Sequence, residues 1–357
     1  MDSIRLNLES VCRRYNLPVL DIEAGSCDEA SISFAWSHGQ TLKACPPRRF
    51  LVASITKPIV GMLAIQFAEH GCLGMNDRVL EYLPEFDCST LRRITIRHLL
   101  THTCGLPDML PENQELRRQH APLQAYVAAT ANCQPEFSAG VDCRYSSMGF
   151  AVLGAILERV SGKSLQVLVA DHIFQPLQMT SSWLGLPESD ATTLMPTIEP
   201  CELPVWQSQD SNWNWNSLYW RTLGAPWGGM ISTVADLGML ARMMLRHGVS
   251  GENQVLSPVG IRLATSHQTR WISGLPASVA DTQRWGLGWR LNWPDHPASF
   301  GDFVSPDAYG HWGATGTMIW IDPAEQTYCV ILTTRPYEQS AAAIRSLSNI
   351  AAAMPKL

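Results

Sequence analysis

Phe50-Leu51-Val52-Ala53-Ser54-Ile55-Thr56-Lys57 is the stretch on which the reading of this chain turns. Arg49 to Ala53 has the apolar content of a short strand, and a helix begins directly after it. Pro58 falls in the first turn, where its missing N–H costs little. Val60, Leu63, Ala64 and Phe67 then form an apolar stripe, and Gly71 supplies a stop. Helix positions three apart share a face, so Lys57 reaches back toward Ser54. A serine hydroxyl is a weak nucleophile until a base takes its proton. A lysine serves as that base only where desolvation or nearby positive charge disfavours its ammonium form. Taken alone, the spacing also fits a helix N-cap serine followed by a solvated lysine.

Outward from this stretch, strands fall near both ends of the chain and helices between them. Leu17 to Ile22 and Ser31 to Trp36 read as strands separated by a Gly-Ser-Cys-Asp turn. Trp285 to Leu291 alternates like a strand. Thr315 to Ile321 and Tyr328 to Thr333 read as a hairpin across Asp322-Pro323. A closing helix carries Ala341, Ile344, Leu347 and Ile350 on one face. In the middle, Thr95 caps a short helix, and Phe150, Leu153, Leu157 and Val160 mark another that Gly162 closes. Leu165 to His172 gives a further short helix. Thr233 and Asp236 have capping-box spacing ahead of Leu237, Leu240 and Met244. Residues 185–224, rich in Pro, Asn and Trp, read as a long structured loop region. The expected class is α+β: an antiparallel sheet flanked by helices, with a mainly helical subdomain inserted. On this reading 1–72 and 284–357 build the sheet domain, and 73–283 forms the helical subdomain with active-site loops.

A hydrophobic share of 46% in 357 residues is enough for a sizeable core, and a formal net charge of -6 argues against nucleic acid or an anionic membrane as partner. Apolar runs such as Gly149 to Leu157 are too short to span a bilayer. The opening MDSIRLNLESVCRRYN reads as an amphipathic helix rather than a secretory signal, so a cytoplasmic location is expected. Ten cysteines without a C-x-x-C pair suggest free thiols. His98 and His102 stand four apart, but no third ligand is near, so no metal is expected.

Further segments complete a pattern. They are Ile96-Arg-His-Leu-Leu-Thr-His-Thr-Cys-Gly-Leu-Pro-Asp108, Arg144-Tyr-Ser-Ser147, Trp227-Gly-Gly-Met-Ile-Ser-Thr-Val-Ala-Asp236 and Tyr309-Gly-His-Trp-Gly313. With the Ser54 segment, and in this order, the chain resembles the serine β-lactamase and penicillin-binding-protein superfamily, in its class C-like branch. That branch also holds carboxylesterases and D-aminopeptidases. The similarity runs from about residue 50 to 180 and from about 225 to 335.

The resemblance implies roles for individual residues. Ser54 matches the nucleophile of an S-x-x-K motif, Lys57 its basic partner, and Tyr145 the tyrosine of Y-x-N. Whether Lys57 or Tyr145 takes the serine proton is left open. His311 matches the first position of K-T-G on an edge strand of the sheet, and Gly313 beside it is a candidate substrate-binding residue. The N–H groups of Ser54 and Ala314 would form an oxyanion hole. Ser147 stands where the family often has the Asn that contacts the acylamide group of β-lactams, and it cannot present the same amide. His311 replaces a lysine, removing a fixed cation. A neutral imidazole can still donate a hydrogen bond and can change charge near neutral pH. Trp227 and Trp312 are candidate substrate-site walls, as is the Asn212 to Trp215 run. His102 and Asp108 read as structural, and Arg335 as a weaker candidate for meeting a substrate carboxylate. The implied activity is hydrolysis of a small carboxylic ester through a Ser54 acyl-enzyme, with no cofactor. The alternatives are a D-amino-acid peptidase or amidase, then a β-lactamase, then a catalytically weak binding protein. The sequence does not set the oligomeric state.

Overall fold

Alternation along Thr327–Thr333 sorts its side chains into two cores. Tyr328, Val330 and Leu332 join one buried cluster, whereas Cys329 and Ile331 join the other. The computed structural model describes residues 2–42, 47–208, 212–293, 296 and 299–354. In chain order its principal strands are β1 (Val19–Ser26), β2 (Ala30–Ser37), β3 (Gln40–Leu42), β4 (Phe50–Leu51) and β5 (Trp183–Leu184). They continue as β6 (Met230–Ser232), β7 (Arg290–Leu291), β8 (Tyr309–Gly313), β9 (Thr317–Asp322) and β10 (Thr327–Thr333).

An antiparallel seven-stranded sheet runs β3-β2-β1-β10-β9-β8-β7, joining the two ends of the chain as the strand pattern predicts. The register Ile22↔Ile331 places two apolar residues of distant segments on one face. Helices α1 (Asp2–Arg14) and α5 (Tyr337–Ala352) cover that outer face with Leu8, Cys12, Ile344 and Leu347. Helix α4 (Val234–Leu245) covers the inner face with Leu237, Leu240 and Met244. Thr233 caps it by accepting from the Asp236 N–H at 3.1 Å. The Asp236 carboxylate instead accepts from Ser181 N and Ser182 Oγ, so only half of the expected capping box forms.

Helix α2 (Thr56–Glu69) departs from a simple stripe, because every residue from Thr56 to Phe67 is buried. A helix this apolar on all sides belongs inside a core. Helix α3 (Met148–Ser161) packs on α2 and ends at Gly162, whose φ of 71° is the left-handed stop expected there.

Two strand expectations change. Phe50–Leu51 leaves the large sheet and pairs with β6, which also pairs with β5. Of Trp285 to Leu291, only Arg290 and Leu291 form a strand, because Gly286 and Gly288 turn the chain: Gly286 N–H donates to the Trp289 carbonyl, and Gly288 has φ 81°. Residues 185–224 hold short helices, among them Val205–Ser208 and Leu218–Leu223. Nine cysteines are free thiols among the described residues, and Cys45 lies outside them. Among the described residues, no helix is long and apolar enough to cross a membrane.

Candidate active site

Ser54 sits in a tight turn between β4 and α2. Ala53, immediately before it, has φ 48°, a left-handed conformation that costs an L-residue about 1–2 kcal/mol. Hydrogen bonds from both sheets hold the turn. Val52 N–H donates to the Met230 carbonyl at 2.9 Å. Thr56 Oγ1 donates to the Ala53 carbonyl at 2.7 Å and accepts from Met230 N–H at 3.0 Å. From the hairpin side, Thr315 Oγ1 donates to the Leu51 carbonyl and Thr317 Oγ1 to the Val52 carbonyl.

Lys57 is fully buried, with Nζ 3.2 Å from Ser54 Oγ and 2.8 Å from the Trp227 carbonyl oxygen. Burial pulls its pKa from 10.5 down to about 7, against the opposing charge of Asp108. Burial thus favours the neutral amine, the form able to accept a proton from Ser54. Tyr145 lies across the same space, with its ring centroid 4.6 Å from Lys57 Nζ. Its buried hydroxyl makes no hydrogen bond of normal geometry, and burial pushes its pKa up, with the Ser54 hydroxyl the group that eases its ionisation. So the structure brings Ser54, Lys57 and Tyr145 together.

His311 reaches the same site from β8. Its Nδ1 lies 2.7 Å from the Trp312 carbonyl, an acceptor, so Nδ1 carries the proton and Nε2 is bare. Nε2 is buried without a partner. Burial, then the charges of Lys57 and Arg290, push its pKa down to about 3. Both expectations for this side chain therefore change. Its one donor is used by the backbone, and it stays neutral throughout the physiological range. His102 is likewise buried: its Nδ1 accepts from Ser146 N–H at 3.0 Å, and its ring lies 4.6 Å from Tyr145 and 4.3 Å from Trp285.

Ala314 stands at the tip of the β8–β9 turn, and its carbonyl accepts from Tyr337 N–H at 2.9 Å. Ser54 and Ala314 line the same two cavities. Gly313 has a steric reason to be glycine: a Cβ there would overlap the Val52 carbonyl and Thr317 Oγ1.

The first cavity, about 370 Å³, lies on the His311 side and is walled by Trp285, Arg290, Trp312 and Tyr337. The second, about 530 Å³, lies on the Ser147 side and is walled by Asp108, Arg117, Trp220 and Trp227. Trp206 and Trp215 border both. Ser147 is buried at the start of α3, its N–H donating to Asp108 Oδ1 at 3.0 Å. Trp312 and Trp227 thus fall on opposite sides of Ser54. Of the Asn212 to Trp215 run, Trp215 reaches the cavities and Trp213 packs behind them on Trp220. Arg335 is committed elsewhere: its Nε pairs with Glu202 at 2.9 Å and its Nη1 donates to the Tyr15 carbonyl.

The sequence reading did not single out Arg290, Trp285 or Arg117. Arg290 is the more consequential omission. Its guanidinium lies 4.6 Å from the Trp312 ring centroid and 5.4 Å from that of Trp285, with no acidic partner among the described residues. Nothing in the spacing of Arg290 marks it. It reaches the site because β7 pairs with β8, opposite Gly310.

A buried lysine beside a serine in a strained strand-to-helix turn, on this sheet, defines a serine hydrolase of the β-lactamase fold. The chain belongs to the Beta-lactamase family, whose model matches residues 33–353. A relative from Escherichia coli (strain K12) that bears the name D-alanyl-D-alanine carboxypeptidase is 26% identical over 321 residues, covering 84% of this chain and 71% of the relative. Among solved structures, a penicillin-binding-protein homolog from Caulobacter crescentus superposes with a TM-score of 0.76 at 19% identity, covering 98% of this chain and 96% of the other. A family VIII carboxylesterase superposes at 0.73, also at 19% identity, covering 96% and 95%.

Proposed function

We propose that this hydrolase acts on small carboxylic esters through an acyl-enzyme at Ser54. The observation that carries the reading is the 3.2 Å approach of a fully buried, easily deprotonated Lys57 to Ser54 Oγ. In the forward step Ser54 Oγ bonds to the acyl carbon, its proton passes to Lys57 directly or through Tyr145, and the same groups return that proton to the alkoxide as its bond to the acyl carbon breaks. Water then attacks the acyl-enzyme, the same groups accept its proton, and Ser54 regains its hydrogen as the acid departs. The N–H groups of Ser54 and Ala314 are the candidates to stabilise the oxyanion in both steps.

His311 favours an ester over a substrate with a fixed carboxylate. A neutral imidazole with a bare Nε2 offers a carboxylate no attraction, where a lysine would. The aromatic walls of the neighbouring cavity suit an apolar alkyl or aryl leaving group.

A second reading has its own support. Arg290 returns a cation to the cavity that lost one at His311. That cation, with the name of the Escherichia coli relative, favours a peptidase that releases a C-terminal residue with a free carboxylate. A substrate panel separates the two: short-chain nitrophenyl esters, D-alanine amide, a D-alanyl-D-alanine peptide and a chromogenic cephalosporin. Turnover of the dipeptide above that of the esters would overturn the ester reading. Fluorophosphonate labelling followed by peptide mapping should find Ser54 alone, and labelling that persists in Ser54→Ala would remove it as nucleophile.

A further inference from the structure

The cavity on the Ser147 side holds a charge that the proposed reaction does not use. Arg117 is only 3% exposed and forms part of the cavity wall. It comes from the short helix Asn113–Arg118, and its guanidinium lies against two indoles that pack on each other, 4.3 Å from the Trp213 ring centroid and 4.7 Å from that of Trp220. No carboxylate pairs with it among the described residues. Its hydrogen bond of normal geometry is a weak contact from Nη2 to the Met109 sulfur at 3.5 Å, the Tyr126 hydroxyl stands close enough to interact with it, and its Nε has no partner. A buried charge is costly unless paired. Two aromatic faces offset part of that cost but satisfy no N–H in the guanidinium plane. The in-plane N–H fork is the element that recognises a carboxylate.

Other charges face this cavity. Asp108 lines it as well: its Oδ1 accepts from the Ser147 N–H, and its charge favours the charged form of Arg117 from a distance. Glu338 is exposed, where water screens it. Lys57 lies beyond Tyr145 and belongs to the serine. Arg117 is thus the desolvated cation of the wall, and desolvation strengthens its pull on an anion.

We infer that the Ser147-side cavity selects acyl groups that end in a carboxylate, with Arg117 as the residue that receives it. The inference rests on the ester reading and narrows it to half-esters of dicarboxylic acids and related anionic acyl donors. The Arg117 end of the cavity holds the carboxylate while the reacting carbonyl sits at Ser54. Arg117 is on this view a specificity residue, without contact to the reacting atoms.

The test compares nitrophenyl half-esters of C4 to C8 dicarboxylic acids with the same acids methylated at the far end. In wild-type protein kcat/KM for the best anionic half-ester should exceed that of its methylated partner by about tenfold or more. In Arg117→Met that ratio should fall to near one. A wild-type ratio of one or less, or a ratio that survives in Arg117→Met, overturns the inference. Two wild-type measurements remain if the variant does not fold: the ratio itself, and protection of Ser54 from a fluorophosphonate probe. Adipate should slow labelling and the neutral diamide adipamide should not. Equal effects of the two overturn the inference. Absence of turnover on every ester, with selective protection by adipate, overturns the ester reading and leaves the carboxylate site standing.

Discussion

Lys57 Nζ donates to the backbone carbonyl of Trp227 at 2.8 Å, across 170 positions of sequence. This bond holds the amine in place without a counter-charge. A carboxylate at that position would fix the ammonium form, whereas a carbonyl orients the nitrogen and leaves its proton loose. The amine is thereby aimed at Ser54, 3.2 Å away, and burial rather than a partner sets its basicity.

A pH profile follows from that arrangement. Lys57 is a base only when neutral, and its pKa is lowered to about 7. kcat/KM on a neutral ester should therefore fall about tenfold per pH unit below 7 and level off above it. His311, pushed down to about 3, should add no second step between pH 5 and 8. A steady-state profile over pH 5 to 9 checks this, and a midpoint above 9 would show that Lys57 is not the titrating base.

The same shift has a stability consequence of defined sign. Folding depresses the Lys57 pKa, so the unfolded chain binds more protons between about pH 7 and 10.5 and stability rises with pH across that window. Below pH 7 the buried ammonium carries its full cost. Lys57→Met should accordingly be more stable than wild type at pH 6, by about 2 kcal/mol after the loss of the Trp227 bond, and the gap should close toward pH 10. Urea titrations at the two pH values measure it. Activity should be lost, with kcat down about a hundredfold or more.

Tyr145→Phe removes a hydroxyl that has no hydrogen-bond partner of normal geometry in the resting site. Stability should change little, while kcat should drop about a hundredfold. Combined with Lys57→Ala, the loss should be far from additive, because both residues serve one proton path. A near wild-type kcat in Tyr145→Phe would take the phenol out of that path.

Gly313 couples the β8–β9 turn to the nucleophile strand. Gly313→Ala would place a methyl group against the Val52 carbonyl and Thr317 Oγ1, neither of which can yield cheaply. The expected outcome is a loss of about 1–3 kcal/mol in stability. A fall in kcat of at least about tenfold should accompany it, as the Ala314 N–H moves off the oxyanion position proposed for it. Thermal melts and ester kinetics on one preparation read both effects.

The His311 substitution predicts selectivity. A short nitrophenyl ester should exceed a chromogenic cephalosporin in kcat/KM by at least about a hundredfold, roughly 2.7 kcal/mol in transition-state binding. His311→Lys should raise the cephalosporin rate, since it restores a cation where a bare imidazole nitrogen now stands. Similar wild-type rates on both substrates would favour a β-lactamase.

Local patterns carried much of this protein. The alternation of Tyr328 to Thr333, the Gly162 stop and the three-residue step from Ser54 to Lys57 each act over one turn or one strand, so the sequence alone determined them, along with the α+β class. What it could not determine is what depends on approach from far along the chain. The Trp227 carbonyl that anchors Lys57 is a backbone atom and leaves no mark in residue type. Arg290 and Arg117 read as ordinary charged residues until strand pairing and the packing of two indoles desolvate them. The charge state of His311 is likewise a property of its burial and of the Trp312 carbonyl beside it, so the residue name implied a titratable donor where the tertiary structure holds a neutral acceptor. Periodicity and spacing are written in the sequence, but desolvation is produced only when distant segments close around a side chain.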